Sequence, residues 1–194
     1  MKATIIFAHP WHGSYNKAVL DEASQALEQG GHEITVIDLN KDGFNPVMTE
    51  ADLAAYGQRK SADPMVEKYN AILNQTEMVV LIFPIWWYDM PAIMRGFFDK
   101  VMLRDTAYRE DENGLYPLRQ INHTLILTTS TIPTDLIVEK FGDPINGTII
   151  KATFGFIGFN NAIWHNLDGM HYNSLDNRRR HLACIPGWIN EAAG

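Results

Sequence analysis

Residues able to do chemistry fall in three short stretches of the chain. In the first, His9 closes an apolar run, and Ser14 and Asn16 stand just before a helical pattern. Side-chain oxygens placed there cap free helix amides, or leave those amides and the helix dipole to hold a phosphate. Two polar capping residues, Gly13 for close approach and a histidine suit an anion, although an ordinary N-cap beside a hydrogen-bonded histidine explains the same residues. In the second stretch, Trp86, Trp87 and Tyr88 follow Phe83-Pro84-Ile85 and precede Met90-Pro91-Ala92. Three rings in a surface loop either plug the edge of a core or wall a site for a flat ligand. The third stretch, Thr129-Ser130-Thr131-Ile132-Pro133-Thr134, supplies hydroxyls suited to the polar edge of a ring.

The elements around these stretches alternate. Apolar runs at Ala3–Ala8, Glu33–Leu39, Met78–Ile82 and His123–Thr128 read as strands, the first and third buried on both faces. Asn160–Trp164 reads as a last strand. Helical spacing marks Lys17–Gln29, stopped by Gly30-Gly31, then Thr49–Tyr56 behind a Thr49 cap and Pro64–Asn74 behind Asp63. It also marks Ala92–Met102, burying Ile93, Phe97, Phe98 and Val101 and exposing Arg95 and Lys100. Ile149–Phe156 is weakly helical, Leu175–Ile189 closes the chain, and Arg178-Arg179-Arg180 reads as a solvated face. Arg104–Gln120 reads as a long polar excursion. This order predicts one α/β domain over residues 1–194: a doubly wound, five-stranded parallel sheet of order 2-1-3-4-5. All three chemical stretches then meet at the strand C-terminal ends, where such sheets bind ligands. A phosphate cradle, an aromatic wall and a hydroxyl-rich loop together describe a site for a phosphorylated flat cofactor, and a flavin meets all three demands.

Composition narrows the partners. The 194 residues are 46% hydrophobic, enough for one core burying roughly 70% of the unfolded surface. A net charge of −7 gives no attraction to nucleic acid or an anionic membrane. The single cysteine, Cys184, excludes an internal disulfide and a cysteine-based metal site, and reads as a buried thiol. With no signal-peptide pattern and no apolar run of ~18 residues, the chain reads as soluble and cytoplasmic, without membrane insertion. Neither the P-loop pattern nor the G-x-G-x-x-G fingerprint occurs, so a Walker-type nucleotidase and a Rossmann dehydrogenase are unsupported.

The chain resembles the NAD(P)H:quinone oxidoreductases, flavoproteins of flavodoxin-like fold that include the ancillary oxidoreductases of bacterial potassium-efflux systems. The resemblance lies in Phe7-Ala8-His9-Pro10 with Ser14-Tyr15-Asn16-Lys17-Ala18, in Phe83-Pro84-Ile85-Trp86-Trp87-Tyr88 with Pro91-Ala92, in Arg95–Val101, and in Thr128-Thr129. It implies that His9, Ser14, Tyr15, Asn16 and Ala18 hold flavin phosphates and that Pro84, Ile85, Trp86 and Trp87 run along the isoalloxazine. It further implies that Trp87 and Tyr88 stack with nicotinamide or an aromatic acceptor, and that Thr128, Thr129 and Ser130 border the polar edge. Tyr108, with Ala107, is implied to line the pocket of a partner in a homodimer. The cofactor is then a flavin, FMN or FAD, with NAD(P)H as co-substrate and a quinone-like small molecule as acceptor. Backbone amides near Trp86 and Trp87, with Thr129, are expected to stabilise charge on the reduced ring. Two features depart from the family: Ser130 and Thr131 stand where two glycines are usual, and Ile132–Gly142 holds no Tyr and His pair. A flavin-binding regulatory subunit docked on a membrane transporter is the alternative. A one-electron carrier fits less well, since it needs no open aromatic pocket.

Overall fold

The computed structural model describes residues 1–58 and 60–194. In chain order β1 (Lys2–Phe7), α1 (Tyr15–Gln29) and β2 (Glu33–Asp38) form the opening unit, followed by α2 (Glu50–Tyr56) and α3 (Pro64–Leu73). Next come β3 (Met78–Pro84), α4 (Ala92–Val101), β4 (Tyr108–Asp111), β5 (Gly114–Pro117) and β6 (His123–Thr129). The chain ends with α5 (Thr134–Phe141), a π-helix (Ile145–Phe154), α6 (Gly155–Ile157), β7 (Ala162–Leu167) and α7 (Leu175–Ala193).

Five strands pair in parallel in the order β2-β1-β3-β6-β7, the expected 2-1-3-4-5 once the separate β4-β5 pair is set aside. Every residue of β3 is buried, because its side chains alternate between two cores. Val79, Leu81 and Phe83 join Phe97, Phe98 and Phe154 beneath α3, α4 and the π-helix. Val80 and Ile82 join Val19, Leu27, Ile185 and Ile189 beneath α1 and α7. Among the described residues no helix is long and apolar enough to cross a membrane.

The helix starts follow local chemistry. Ser14 Oγ accepts from Lys17 N–H, Thr49 and Asp52 form a reciprocal capping box, and Asp63 Oδ1 accepts from Met65 N–H. Each such cap is worth about 1 kcal/mol.

Several expectations need correction. The polar excursion holds an antiparallel hairpin, with Tyr108 opposite Pro117 and Asp111 opposite Gly114. Gly114, at φ 134°, and an Asp111 side chain that accepts from Asn113 N–H make its tight turn. The hydroxyl-rich loop ends in α5, whose first amide, Thr134 N–H, donates to Asp168 at 2.7 Å. The π-helix starts four residues before the helical pattern becomes visible. The last strand begins at Ala162 because Asn160 and Asn161 are spent on Gln120, Asn122 and its carbonyl. Cys184 is exposed on α7, its thiol directed at the Arg180 carbonyl.

Lys100 is buried, 3% exposed, not solvated. Its ammonium donates to Asp63 at 2.8 Å and to the Asn45 carbonyl at 3.0 Å, and lies 3.7 Å from Asp52. It also stands 5.3 Å from the centre of the Phe44 ring. One cation therefore ties α2, α3 and the 45–47 segment to α4. Burial pushes the Asp52 carboxyl up, but hydrogen bonds from Thr49 and the Lys100 charge outweigh it and hold its pKa below the ordinary value.

Truncating Lys100 strands a buried carboxylate, so Lys100→Met should lower the unfolding free energy by about 3–5 kcal/mol in urea titrations at neutral pH. Because the folded pKa of Asp52 is depressed, its contribution is complete above about 3.9 and is lost as pH falls through the folded value. Wild-type midpoints should therefore drop in that acid window, and a flat profile there would contradict the assignment.

Candidate active site

The C-terminal ends of β1, β3 and β6 are held level by strand register. Phe7 lies opposite Ile82, and Pro84 lies opposite Thr129. Ile85 N–H extends the β3–β6 ladder to the Thr129 carbonyl at 2.8 Å. A side-chain bond closes the third edge: Asn16 Nδ2 donates to Thr129 Oγ1 at 2.8 Å, joining the first turn of α1 to the end of β6.

Above this junction opens a cavity of about 340 Å³, within the usual size of a cofactor site. The first loop contributes His9, Trp11, Ser14, Tyr15 and Asn16; the end of β3 contributes Pro84, Ile85 and Trp86. Thr129, Ser130 and Thr131 supply the third wall, and Met170 and His171, after β7, the fourth. A neighbouring hollow of about 170 Å³ is bounded by Trp87, Tyr88, Ile132 and Ile137, with Ile85, Ser130 and Thr131 shared between the two.

Most of the predicted residues are thus brought together. Ala18 is half-buried in the first turn of α1, behind the lining. Thr128 faces away: its hydroxyl donates to Asn166 Oδ1 and accepts from Trp164 Nε1, both at 2.8 Å. Strand alternation sends Thr129 to the cavity and its neighbour to β7. Tyr108 stands elsewhere, on a separate hollow with Leu115 and Phe156. Its hydroxyl meets Tyr56 at 2.9 Å, and that bond, with burial, pushes its pKa up to about 12. Trp11, Met170 and His171 were missed; Trp11 lay inside the first stretch, but nothing local ties the loop after β7 to it.

The hydrogen-bond inventory shows what the lining can offer. The first-turn amides of α1 have no carbonyl four residues earlier within the helix and point outward, as at any helix start. Among the described residues Asn16 Oδ1 is a buried acceptor without a partner. His9 Nδ1 lies 3.1 Å from Trp11 N–H and 3.2 Å from the Trp11 carbonyl, so the ring is held by the Trp11 backbone, accepting from the amide in one tautomer and donating to the carbonyl in the other. Burial lowers the His9 pKa, against the opposing backbone contact at Trp11, and favours the neutral form. Burial also pushes Tyr15 up to about 12, and its hydroxyl donates to the Arg178 carbonyl at 2.7 Å. Ser130 Oγ is committed, donating to the Ile132 carbonyl and accepting from Asn166.

The aromatic stretch is a tight turn. Trp86 and Asp89 exchange both backbone hydrogen bonds, at 3.0 and 3.1 Å, so the Trp86 amide is not free to face a ligand as the sequence suggested. Between them Trp87 and Tyr88 have φ of 52° and 66°. Both central residues are left-handed, as in a type I′ turn, at roughly 1–2 kcal/mol each. Tyr88 packs on Phe141 with centroids 4.4 Å apart, and Asp89 pairs with Arg95 at 3.0 Å. Trp87 is 95% exposed, its side chain almost wholly in solvent. Trp87→Gly should therefore stabilise the fold by about 0.5–1 kcal/mol, the relieved strain less the greater freedom of glycine in the unfolded chain. Urea midpoints test this, and a loss of stability would show that the indole packs in solution.

A sequence model of the flavodoxin-like fold matches residues 1–184. An uncharacterised NAD(P)H oxidoreductase of Haemophilus influenzae is 24% identical over 189 residues, covering 93% of this chain and 89% of that protein. Two further curated relatives match over 105 and 125 residues, and the chain spans about half of their length. The NAD(P)H:quinone oxidoreductase from Methanothermobacter marburgensis superposes with a TM-score of 0.88 at 22% identity, over 97% of each chain. The FMN-dependent NADH-azoreductase from Bacillus anthracis, in complex with FMN, superposes with a TM-score of 0.80 at 16% identity, over 100% of each chain. These two likenesses are of fold. With the family match over nearly its whole length, the chain belongs to the flavodoxin-like fold family, with the NAD(P)H:quinone oxidoreductases among its relatives.

Proposed function

We propose that the protein is a flavin-dependent oxidoreductase carrying two electrons from NAD(P)H to a quinone-like aromatic acceptor. The observation that carries this reading is the convergence of the α1 N-terminus, the aromatic turn and Thr129 on one cavity, locked by the Asn16–Thr129 bond. The family and the FMN-bound neighbour support a flavin there. The lining fits it: outward amides suit a phosphate, the orphaned Asn16 oxygen suits a ribityl hydroxyl, and the volume suits a mononucleotide.

A flavin held there would supply the hydride chemistry between NAD(P)H and the acceptor. The chain supplies position and electrostatics. Ser14 and the first turn of α1 hold the phosphate end. Pro84 and Ile85, whose backbone is pinned to β6, and Trp86, whose backbone is bonded to Asp89, give the ring a flat bed. Thr129 Oγ1 accepts from Asn16 and keeps its own proton free to donate toward the ring edge. Trp87 and Tyr88 wall the adjoining hollow, where nicotinamide and acceptor take turns, and orientation there contributes several kcal/mol. No side-chain nucleophile is required. In a homodimer, Tyr108 with exposed Leu115 and Phe156 would face the partner.

Anaerobic addition of NADH or NADPH to the flavin-loaded protein should bleach the flavin absorbance; a spectrum unchanged by both would end the reductase reading. Asn16→Ala should weaken flavin binding about tenfold, the worth of one buried hydrogen bond, measured by fluorescence titration. Trp87→Ala and Tyr88→Ala should cut acceptor turnover more than flavin retention, and the opposite ranking would place the aromatic wall elsewhere.

A further inference from the structure

We propose that Asn166 is a positioning residue that limits the size of acceptor the protein takes, by fixing the wall that the cofactor cavity shares with the adjoining hollow. The inference rests on the oxidoreductase reading above and adds to it a limit on the substrate.

Asn166 lines neither hollow and lies on β7, at the edge of the sheet. It is the centre of a hydrogen-bond chain whose direction is set at both ends. The Trp164 indole N–H can only donate, and it meets Thr128 Oγ1 at 2.8 Å, so the Thr128 proton is directed at Asn166 Oδ1, also at 2.8 Å. That contact leaves the Asn166 amide hydrogens for Ser130 Oγ at 2.9 Å and Thr134 Oγ1 at 3.1 Å. Those two hydroxyls donate in turn to the Ile132 carbonyl and to Asp168 Oδ2, both at 2.6 Å. A carbonyl and a carboxylate accept only, so no member of the chain can turn round.

What the chain holds is the segment from Ser130 into α5. Ser130, Thr131, Ile132 and Ile137 line the acceptor hollow together with Trp87 and Tyr88. Phe141, the last residue of α5, packs on Tyr88, so this helix backs the aromatic wall as well. Yet Ile137 is the one buried residue of α5, and its N-cap, Pro133, makes no side-chain hydrogen bond. Burial of one side chain gives a helix little hold on a sheet. The placement of α5 therefore falls to its first residue, Thr134, whose hydroxyl stands between Asn166 and Asp168 and whose N–H donates to Asp168 at 2.7 Å. With Asn166 in place the wall does not yield to a larger ring. Without it Ser130 and Thr134 each lose a donor, and the start of α5 is free to swing outward. An amide on β7 thereby governs a hollow it does not touch.

The test compares wild type with Asn166→Ala, Asn166→Asp and Thr134→Val, each loaded with FMN, in kcat/KM for 1,4-benzoquinone, a single ring, and 9,10-phenanthrenequinone, three fused rings. Dividing each variant's ratio of the two by the wild-type ratio cancels their different reactivities. In Asn166→Ala the ratio should move at least about fivefold toward the larger quinone, within the range over which an apolar pocket discriminates by size. Thr134→Val should move it the same way. Asn166→Asp keeps the shape and the acceptor for Thr128 but removes both donors, and should match the alanine variant. Hydrogen exchange on the flavin-free proteins gives a reading independent of turnover: residues 131–141 should exchange at least about fivefold faster in Asn166→Ala, and residues 78–91 at the wild-type rate. Urea midpoints serve as the folding control. An unchanged ratio, a shift toward the smaller quinone, an Asn166→Asp variant that behaves as wild type, or faster exchange spread evenly over both segments overturns the positioning role and leaves the oxidoreductase reading intact. A wild-type protein that binds no FMN, or reduces neither quinone, overturns that reading and the size limit with it.

Discussion

Parallel pairing of β3 with β6 places Pro84 opposite Thr129, and the rest of the site depends on that register. A slip of one residue would turn Thr128, now bonded to Asn166 and Trp164, toward the cavity and bury Thr129 against β7. Such a slip is strongly opposed. Every residue of β3 is buried on one face or the other, so a shift would expose both cores at once. The Ile85–Thr129 backbone bond extends the ladder past the strand, and the Asn16–Thr129 bond brings α1 into the same alignment. Three loops separated widely in sequence thereby inherit the rigidity of the sheet.

The sheet was legible in the sequence because a central parallel strand has no polar face; Ile5, Ile6 and Phe7, or Val79 to Phe83, can be little else. The starts of α1, α2 and α3 were legible for a different reason, since Ser14, Thr49 and Asp63 act within three residues of themselves. What escaped depends on partners far along the chain. α5 begins where Asp168, 34 residues away, accepts from Thr134. Lys100 is buried because Asp63 and Asn45 come to meet it, which no helical pattern reports. The site divides in the same way. Its floor and two walls lie in contiguous stretches, whereas the wall of Met170 and His171 becomes part of it when β7 joins the sheet.

Strain is concentrated where the chemistry is proposed. The described non-glycine residues at positive φ include Trp87 and Tyr88, two bulky aromatics on which no buried contact of the main cores depends. A turn of this hand accepts Asn-Gly with little penalty. The chain instead keeps two rings there and offsets the strain with the Trp86–Asp89 bonds, the Asp89–Arg95 pair and the Tyr88–Phe141 contact. Those supports all lie to one side, under Tyr88 and Asp89. Trp87 is left projecting, which is what a ring that must meet a transient partner requires and a packing residue does not.

Charge decides what the proposed cradle would use to hold a phosphate in a protein of net charge −7. Among the described residues lining the cavity there is no lysine or arginine, and partial burial lowers the pKa of His9 and favours its neutral form. The guanidinium of Arg178 is turned toward the Met170 carbonyl, while the Arg178 carbonyl accepts from Tyr15. In the proposed site, anion binding would then fall to the α1 amides and dipole, with hydroxyls beside them. Such donors are fixed by the fold, so they lose little freedom when a ligand arrives. They also carry no mobile positive charge that could neutralise a neighbouring electron-rich ring at random. If the proposed flavin is bound there, such a site would separate two demands: fixed backbone dipoles would grip the tail, and Thr129 and the walls of the aromatic turn would meet the ring.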